Sequence, residues 1–165
     1  PGHGRATADS HLVLPKITSS VSEMQVTDFL PFKKLNYFPI AMTAHILYSD
    51  IDDVYPATTS KLIINNIIRN EIGFNGLLLT DDISSNMQAL TGTDALRAKS
   101  SIDSGCDVIL HCDGNLKSME EVAKILPKIS EISYKRWQNA KALLKEPKYF
   151  DRELAILELK QLLGQ

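Results

Sequence analysis

The sequence predicts an α/β fold built on a parallel sheet with both faces covered. Three observations predict it. Short apolar runs without clean alternation suit strands buried on both faces. Longer amphipathic stretches of helical spacing separate those runs. Polar, chemistry-bearing residues stand directly after each run, where the C-terminal ends of parallel strands put a functional site. The strand–helix order fits either a barrel or a doubly wound sheet. A chain of 165 residues suits one domain, and no repeat or low-complexity linker divides it.

The elements follow in order. "PGHGRATADSH" opens the chain as a glycine-rich turn holding two histidines and an aspartate, the composition of an active-site loop. "SEMQVTDFLPFKKL" reads as a helix ending near Pro31, with Lys33 and Lys34 on a solvated face. "PIAMTAHI" (Pro39–Ile46) is the first strand. In "SKLIINNIIRNEIG", Leu62, Ile63, Ile67 and Ile68 fall near one face of a helix, with Ser60 as N-cap and Gly73 as stop. "GLLLT" (Gly76–Thr80) is the second strand, and "TDALRAKSSIDSG" is a helix capped by Thr93 or Asp94 and ended by Gly105. "DVILHC" is the third strand. "KSMEEVAKIL" is a helix that Pro127 breaks from "KISEISYKRWQNAKALLKE", a long helix expected to turn Ile129, Ile132, Trp137 and Leu143 inward. "DRELAILELKQLL" adds a last helical pattern. Three strands, or four counting one before Pro1, are too few to close a barrel of about eight.

Composition narrows the function. A net charge of −2 and a pI near 6.1 supply no electrostatic drive toward nucleic acid or an anionic membrane. No apolar run reaches the roughly 18 residues of a membrane-spanning helix. Cys106 and Cys112 flank "DVILH"; as the ends of a strand they stand too far apart for a disulfide. Two free thiols suit a reducing cytoplasm. With no CxxC or HExxH spacing, no metal site is expected.

Two stretches carry the chemistry. In "LLLTDDISSNM" the adjacent Asp81 and Asp82 end an apolar strand and must diverge, because successive side chains point to opposite sides. One can face a site as nucleophile, base or metal ligand while the other caps the following turn. In "DSH", Asp9 can accept the ring N–H of His11, fix its tautomer and free the other nitrogen for proton transfer. His45 ends the first strand and either lines a pocket or sits in the core as a satisfied histidine. His3 is expected to fix its turn, His111 to be structural and Trp137 to be core. A metal-dependent hydrolase using His45, Asp81 and His111 is the minor reading.

Taken in order, "PGHG…DSHLVLP", "AMTAHILY", "EIGFNGLLLTDDIS" and "SGCDVILHC" resemble the glycoside hydrolase family 3 β-N-acetylglucosaminidases of bacteria, the NagZ type. The resemblance spans roughly Pro1 to Cys112. It implies a TIM (β/α)8 barrel, of which residues 1–165 hold the last three to four βα units, with a strand ending Lys-His-Phe ahead of Pro1. It implies Asp81 as nucleophile, His11 as general acid/base and Asp9 as its dyad partner; His45, from its place at the strand end alone, is expected to bind substrate. The implied activity is a retaining exo-β-N-acetylglucosaminidase acting on N-acetylglucosaminyl-anhydromuramyl peptides in cytoplasmic cell-wall recycling, without metal or organic cofactor. The sugar-gripping residues are expected in the N-terminal half of the same barrel. A catalytically silent half-barrel, or a binding or assembly module, is the alternative. Two stretches depart from the family pattern: Arg5 stands where an acidic residue is common, and "SSNMQAL" is longer than the usual Ser-Met stretch after the nucleophile.

Overall fold

The structure, a computed structural model, describes residues 2–147 and 149–164. Pro1, the first residue of the expected glycine-rich turn, falls outside them. The elements are β1 (Lys16–Ile17), α1 (Val21–Val26), α2 (Leu30–Lys34), β2 (Ile40–Met42), β3 (Leu47–Tyr48), a 3-10 turn (Ala57–Thr59), a π-helix (Ile63–Glu71), β4 (Leu77–Asp82), α3 (Asp94–Ser104), β5 (Val108–Leu110), α4 (Leu116–Ile125), α5 (Glu131–Ala142) and α6 (Arg152–Leu162). Strands β2, β4 and β5 form one sheet in that order, and β1 pairs with β3 in a second. Every pairing is parallel, as the α/β class requires.

The expected strand Pro39–Ile46 is divided. β2 stops at Met42, although the Thr43 amide still donates to the Leu79 carbonyl at 2.9 Å. The side chains of Thr43 and His45 both bond to Thr58, at 2.9 and 2.7 Å, and draw the backbone off the ladder into the core. The chain resumes extended pairing only at β3. The expected helix through Pro31 is likewise two. At the end of α1 the Thr27 hydroxyl turns back to the Glu23 carbonyl, and Pro31 opens α2, where its missing N–H leaves no bond unmade. Lys33 pairs with Glu71 and is not simply solvated.

Ser60 caps the π-helix as expected, accepting the Ile63 amide at 3.1 Å. Its interior bonding is i to i+5, as in the Ile72 amide to the Ile67 carbonyl at 2.8 Å. Ile63, Ile64, Ile67 and Ile68 are buried, while Leu62, just ahead of the π-helix, is exposed. They pack with Met24, Phe29, Ile46, Tyr48 and Leu78 in the main core. Cys106 lies there too, its thiol pushed up to about 12 by burial, and both cysteines are free. Thr93 is the cap of α3, and Gly105 ends it with a φ of 116°.

At the N-terminal end of β5, Asp107 knits the layers together. Its carboxylate accepts from the Leu78 amide (2.9 Å), Arg69 (2.8 Å), Arg136 (2.9 Å) and Ser133 (2.7 Å). Burial raises its pKa, but these donors outweigh burial and hold it below the ordinary carboxylate range. This polar anchor overturns the expectation for α5. The helix docks through Ser133 and Ala140, and Ile129, Ile132, Trp137 and Leu143 face outward. Trp137 stacks on Tyr134 with Lys141 above its ring.

Candidate active site

The C-terminal end of β4 carries the two adjacent acids. Leu79 pairs with Val108 and Asp82 with Leu110, so one extra residue is accommodated on β4. A bulge of this kind re-aims side chains at a strand end. Asp82 faces the turn: its Oδ1 accepts the amides of Ser84 and Cys112, each at 3.0 Å, and its Oδ2 accepts the Ser84 hydroxyl at 2.7 Å. Burial raises its pKa, but these bonds prevail and lower it. The half-buried Asp81 is less engaged. Among the described residues its carboxylate takes one hydrogen bond, from the Asp82 amide at 2.8 Å. One acid is thus tied into the turn, and the other keeps lone pairs free for chemistry.

Behind this strand end, His45 is fully buried. Its Nε2 lies 2.6 Å from the Asp82 carbonyl, which can only accept, so Nε2 carries the proton. Its Nδ1 therefore accepts the Thr58 hydroxyl at 2.7 Å. Burial lowers the pKa of His45 and keeps it neutral. With both nitrogens engaged, the ring braces the backbone that follows Asp81. Thr43 belongs to the same relay: its hydroxyl bonds Thr58 and accepts the Asp81 amide at 3.4 Å.

The glycine-rich loop carries Asp9 and His11. The Asp9 Oδ1 accepts both the backbone amide and the Nδ1–H of His11, each at 2.9 Å. Those two bonds, the backbone one first, lower the Asp9 pKa. Nε2 takes no hydrogen bond among the described residues, on a ring that is 65% exposed. The loop is tied to the segment after Asp81: the Gln88 amide donates to the His11 carbonyl at 3.3 Å, and the Ala89 amide to the Ser10 carbonyl at 3.2 Å. His3 braces the loop through the Ala8 carbonyl at 3.3 Å.

Two arginines outside the expected site residues hold these segments. From α3, the buried Arg97 donates to the carbonyls of Ile83 (3.3 Å), Ser84 (2.6 Å) and Leu90 (2.5 Å), fixing both ends of the post-Asp81 loop. From the glycine-rich loop, Arg5 reaches Asp28, Glu23, Ser19 and Thr27. The sequence signal for Arg97 is a charged residue on the inward face of an amphipathic helix. For Arg5 it is the departure from the family pattern.

His111 lies between Asp94 (Nε2 to Oδ2, 2.9 Å) and Asp113 (Nδ1 to Oδ1, 3.2 Å). These three could surround a cation, but Ser118 already donates to Asp94 and the Asn115 amide to Asp113. The cluster joins α3 to the loop after β5. The ring of His45 faces Thr58 and Asp82, so His45, Asp81 and His111 do not present a shared set of free ligand atoms.

Residues 1–142 match the glycosyl hydrolase family 3 N-terminal domain. A beta-hexosaminidase of Tolumonas auensis is 36% identical over 116 residues, 68% of this chain and 34% of that protein. A beta-hexosaminidase of Alkalilimnicola ehrlichii is 35% identical over 135 residues, 81% of this chain and 38% of that protein. Among solved structures, NagZ from Neisseria gonorrhoeae in complex with N-trifluoroacetyl-D-glucosamine superposes with a TM-score of 0.72 at 30% identity. That match covers 99% of this chain and 45% of the other. The beta-N-acetylglucosaminidase from Thermotoga maritima gives 0.72 at 30% identity, over 89% and 34% respectively. The chain thus spans little more than a third of the length of these curated relatives.

Proposed function

The chain belongs to glycosyl hydrolase family 3, and from that membership we propose that it carries the reacting residues of a retaining exo-β-N-acetylglucosaminidase. The observation that carries this reading is the Asp9–His11 pair: one ring nitrogen is gripped by a carboxylate, the other is exposed, and the loop bearing them is bonded to the segment that follows Asp81. Asp81, with its neighbour Asp82 tied into the turn, is the nucleophile.

Asp81 attacks the anomeric carbon while Nε2 of His11 gives its proton to the departing glycosidic oxygen. This forms a glycosyl–Asp81 ester and breaks the glycosidic bond. His11 then takes a proton from water, whose oxygen attacks the anomeric carbon and releases Asp81 with net retention. Asp9 stabilises the ring whenever it is charged and holds its tautomer. An imidazole in place of a second carboxylate departs from the usual two-acid arrangement. His45 acts as a positioning residue behind Asp81 and does not touch the sugar.

Within this proposal the fold is a TIM barrel, with β2, β4 and β5 as neighbouring strands and the sugar-gripping residues on the part outside this chain. The substrate is a terminal N-acetylglucosamine on anhydromuramyl peptides, and the setting is cytoplasmic cell-wall recycling. A second reading, that the chain alone is a silent half-barrel, is favoured by Ile40 and Met42, half-exposed on the edge strand β2. The first reading is tested in the intact protein with an aryl N-acetyl-β-glucosaminide. Asp81→Ala and His11→Ala are each expected to lower turnover by about 10² or more. Near-normal rates in Asp81→Ala would end the reading.

A further inference from the structure

We propose that Arg5 is a positioning residue for the Asp9–His11 pair, latching the loop that carries the pair onto α1 so that the imidazole meets the leaving-group oxygen. The inference rests on the reading of Asp9, His11 and Asp81 given above.

The loop lies flat against α1 and α2. Gly2 and Gly4 take positive φ of 61° and 41°, and a side chain at either would meet the Phe32 ring at 3.0 Å or the Asp28 carboxylate at 3.3 Å. The Tyr48 hydroxyl donates to the Gly2 carbonyl at 2.7 Å. Arg5 then spans α1 from end to end. Its Nε donates to Asp28 (2.8 Å), its Nη1 to Glu23 (2.5 Å) and Ser19 (3.3 Å), and its Nη2 to Thr27 (3.0 Å). The two acceptor carboxylates come from a first-turn residue of α1 and from the residue just past its C-cap.

Single exposed ion pairs add little to stability, but this arrangement fixes direction. A planar fork with its donors engaged on four side chains has one orientation. The other end of the loop is fixed by the Gln88 and Ala89 amides. That second tether holds the backbone at Ser10 and His11 themselves, whereas the side chains of Asp9 and His11 are 58% and 65% exposed, so packing does little to hold the ring. Its place is set by Asp9 and by the two ends of the loop. Arg5 is the charged fastening at the first end, and it occupies the position where the family pattern is acidic. Releasing it leaves Asp81 and its strand untouched and lets the proton donor drift. A misplacement near 1 Å can cost about a hundredfold in a step that needs the group.

That asymmetry gives a test that a purely structural role would not pass. In the intact protein, kcat/KM is measured for two N-acetyl-β-glucosaminides. One carries dinitrophenolate, which departs without a proton; the other carries an alkyl alcohol, which needs one. Arg5→Ala is expected to lower kcat/KM roughly tenfold or more on the alkyl substrate and less than about twofold on the dinitrophenyl one. Arg5→Lys, a point charge without the fork, is expected to fall between. The double variant Glu23→Ala, Asp28→Ala removes both acceptor carboxylates of the latch from the α1 side, keeps Arg5, and is expected to give the same split. Equal losses on both substrates, or no loss on either, overturn the proposal. If the unmodified protein hydrolyses neither substrate, or Asp81→Ala leaves the dinitrophenyl rate intact, the underlying reading of the site fails instead.

Discussion

Asp81 and Asp82 are chemically identical neighbours with different work. The Asp82 carboxylate takes three hydrogen bonds within the turn and toward β5, whereas Asp81 takes one. Asp82→Asn is therefore expected to cost stability, on the order of 1–3 kcal/mol, read as a lowered Tm. Asp81→Asn should leave stability within about 0.5 kcal/mol of the parent while removing turnover. His45 adds a pH signature. Its folded pKa is lowered by burial, so the unfolded chain takes up a proton that the folded one refuses. Stability is complete above the ordinary histidine value near 6.5 and declines as pH falls below it. His45→Gln should flatten that slope in denaturant titrations between about pH 7 and 5. From sequence, the pair "DD" announced that the two carboxylates diverge. Which of them faces the turn depends on the Ser84 hydroxyl and the Cys112 amide, thirty residues away along the chain, and spacing cannot supply that. His45 was legible as a strand-end histidine, but its partner Thr58 arrives from a 3-10 turn that leaves no periodic signal.

Helix α3 was legible because cap, period and stop agree, from Thr93 to Gly105; α4 was legible from its period and the break at Pro127, while its cap Asn115 was not read. Where polar contacts from other elements decide, pattern reading loses the answer. The run Pro39–Ile46 breaks because Thr43 and His45 bond to Thr58. α5 turns its apolar residues outward because Ser133 and Arg136 bind Asp107. The helical run buries Ile64 and leaves Leu62 exposed ahead of the π-helix, the reverse of the expectation. The Asp107 anchor joins β5 to α5 and to the π-helix. Its carboxylate is 2% exposed, so Asp107→Ala leaves Arg69 and Arg136 without their partner and is expected to destabilise the fold by about 3–5 kcal/mol. Its folded pKa is depressed, so its contribution is complete above a carboxylate's ordinary value near 3.9 and lost as pH falls through the lower folded value. Urea melts from about pH 6 to 2 should show that loss in the parent and not in Asp107→Ala.

Among the described residues, the order β2-β4-β5 leaves one side of β2 and one side of β5 unpaired, with Phe38, Ile40 and Met42 about half exposed beside the first. Apolar edges of this kind favour association. The 165-residue chain on its own is expected to self-associate with concentration in sedimentation velocity, and to hydrolyse aryl N-acetyl-β-glucosaminides far more slowly than the intact protein; a monodisperse, fully active chain would contradict both expectations. The α/β class was readable from three apolar runs, and the residues proposed to react were named from the in-order motifs around them, by resemblance. The loop tethers through Arg5, Gln88 and Ala89 were not, because they join segments far apart in the chain through backbone amides and exposed charges. The most direct measurement is to trap the covalent intermediate in the intact protein with a fluorinated N-acetylglucosaminyl donor and map the label by peptide mass spectrometry. The expected result is one glycosyl group, on Asp81. A label on Asp82 or Asp9, or rapid turnover in the Asp81→Ala protein with no label anywhere, would contradict a nucleophile at the end of β4.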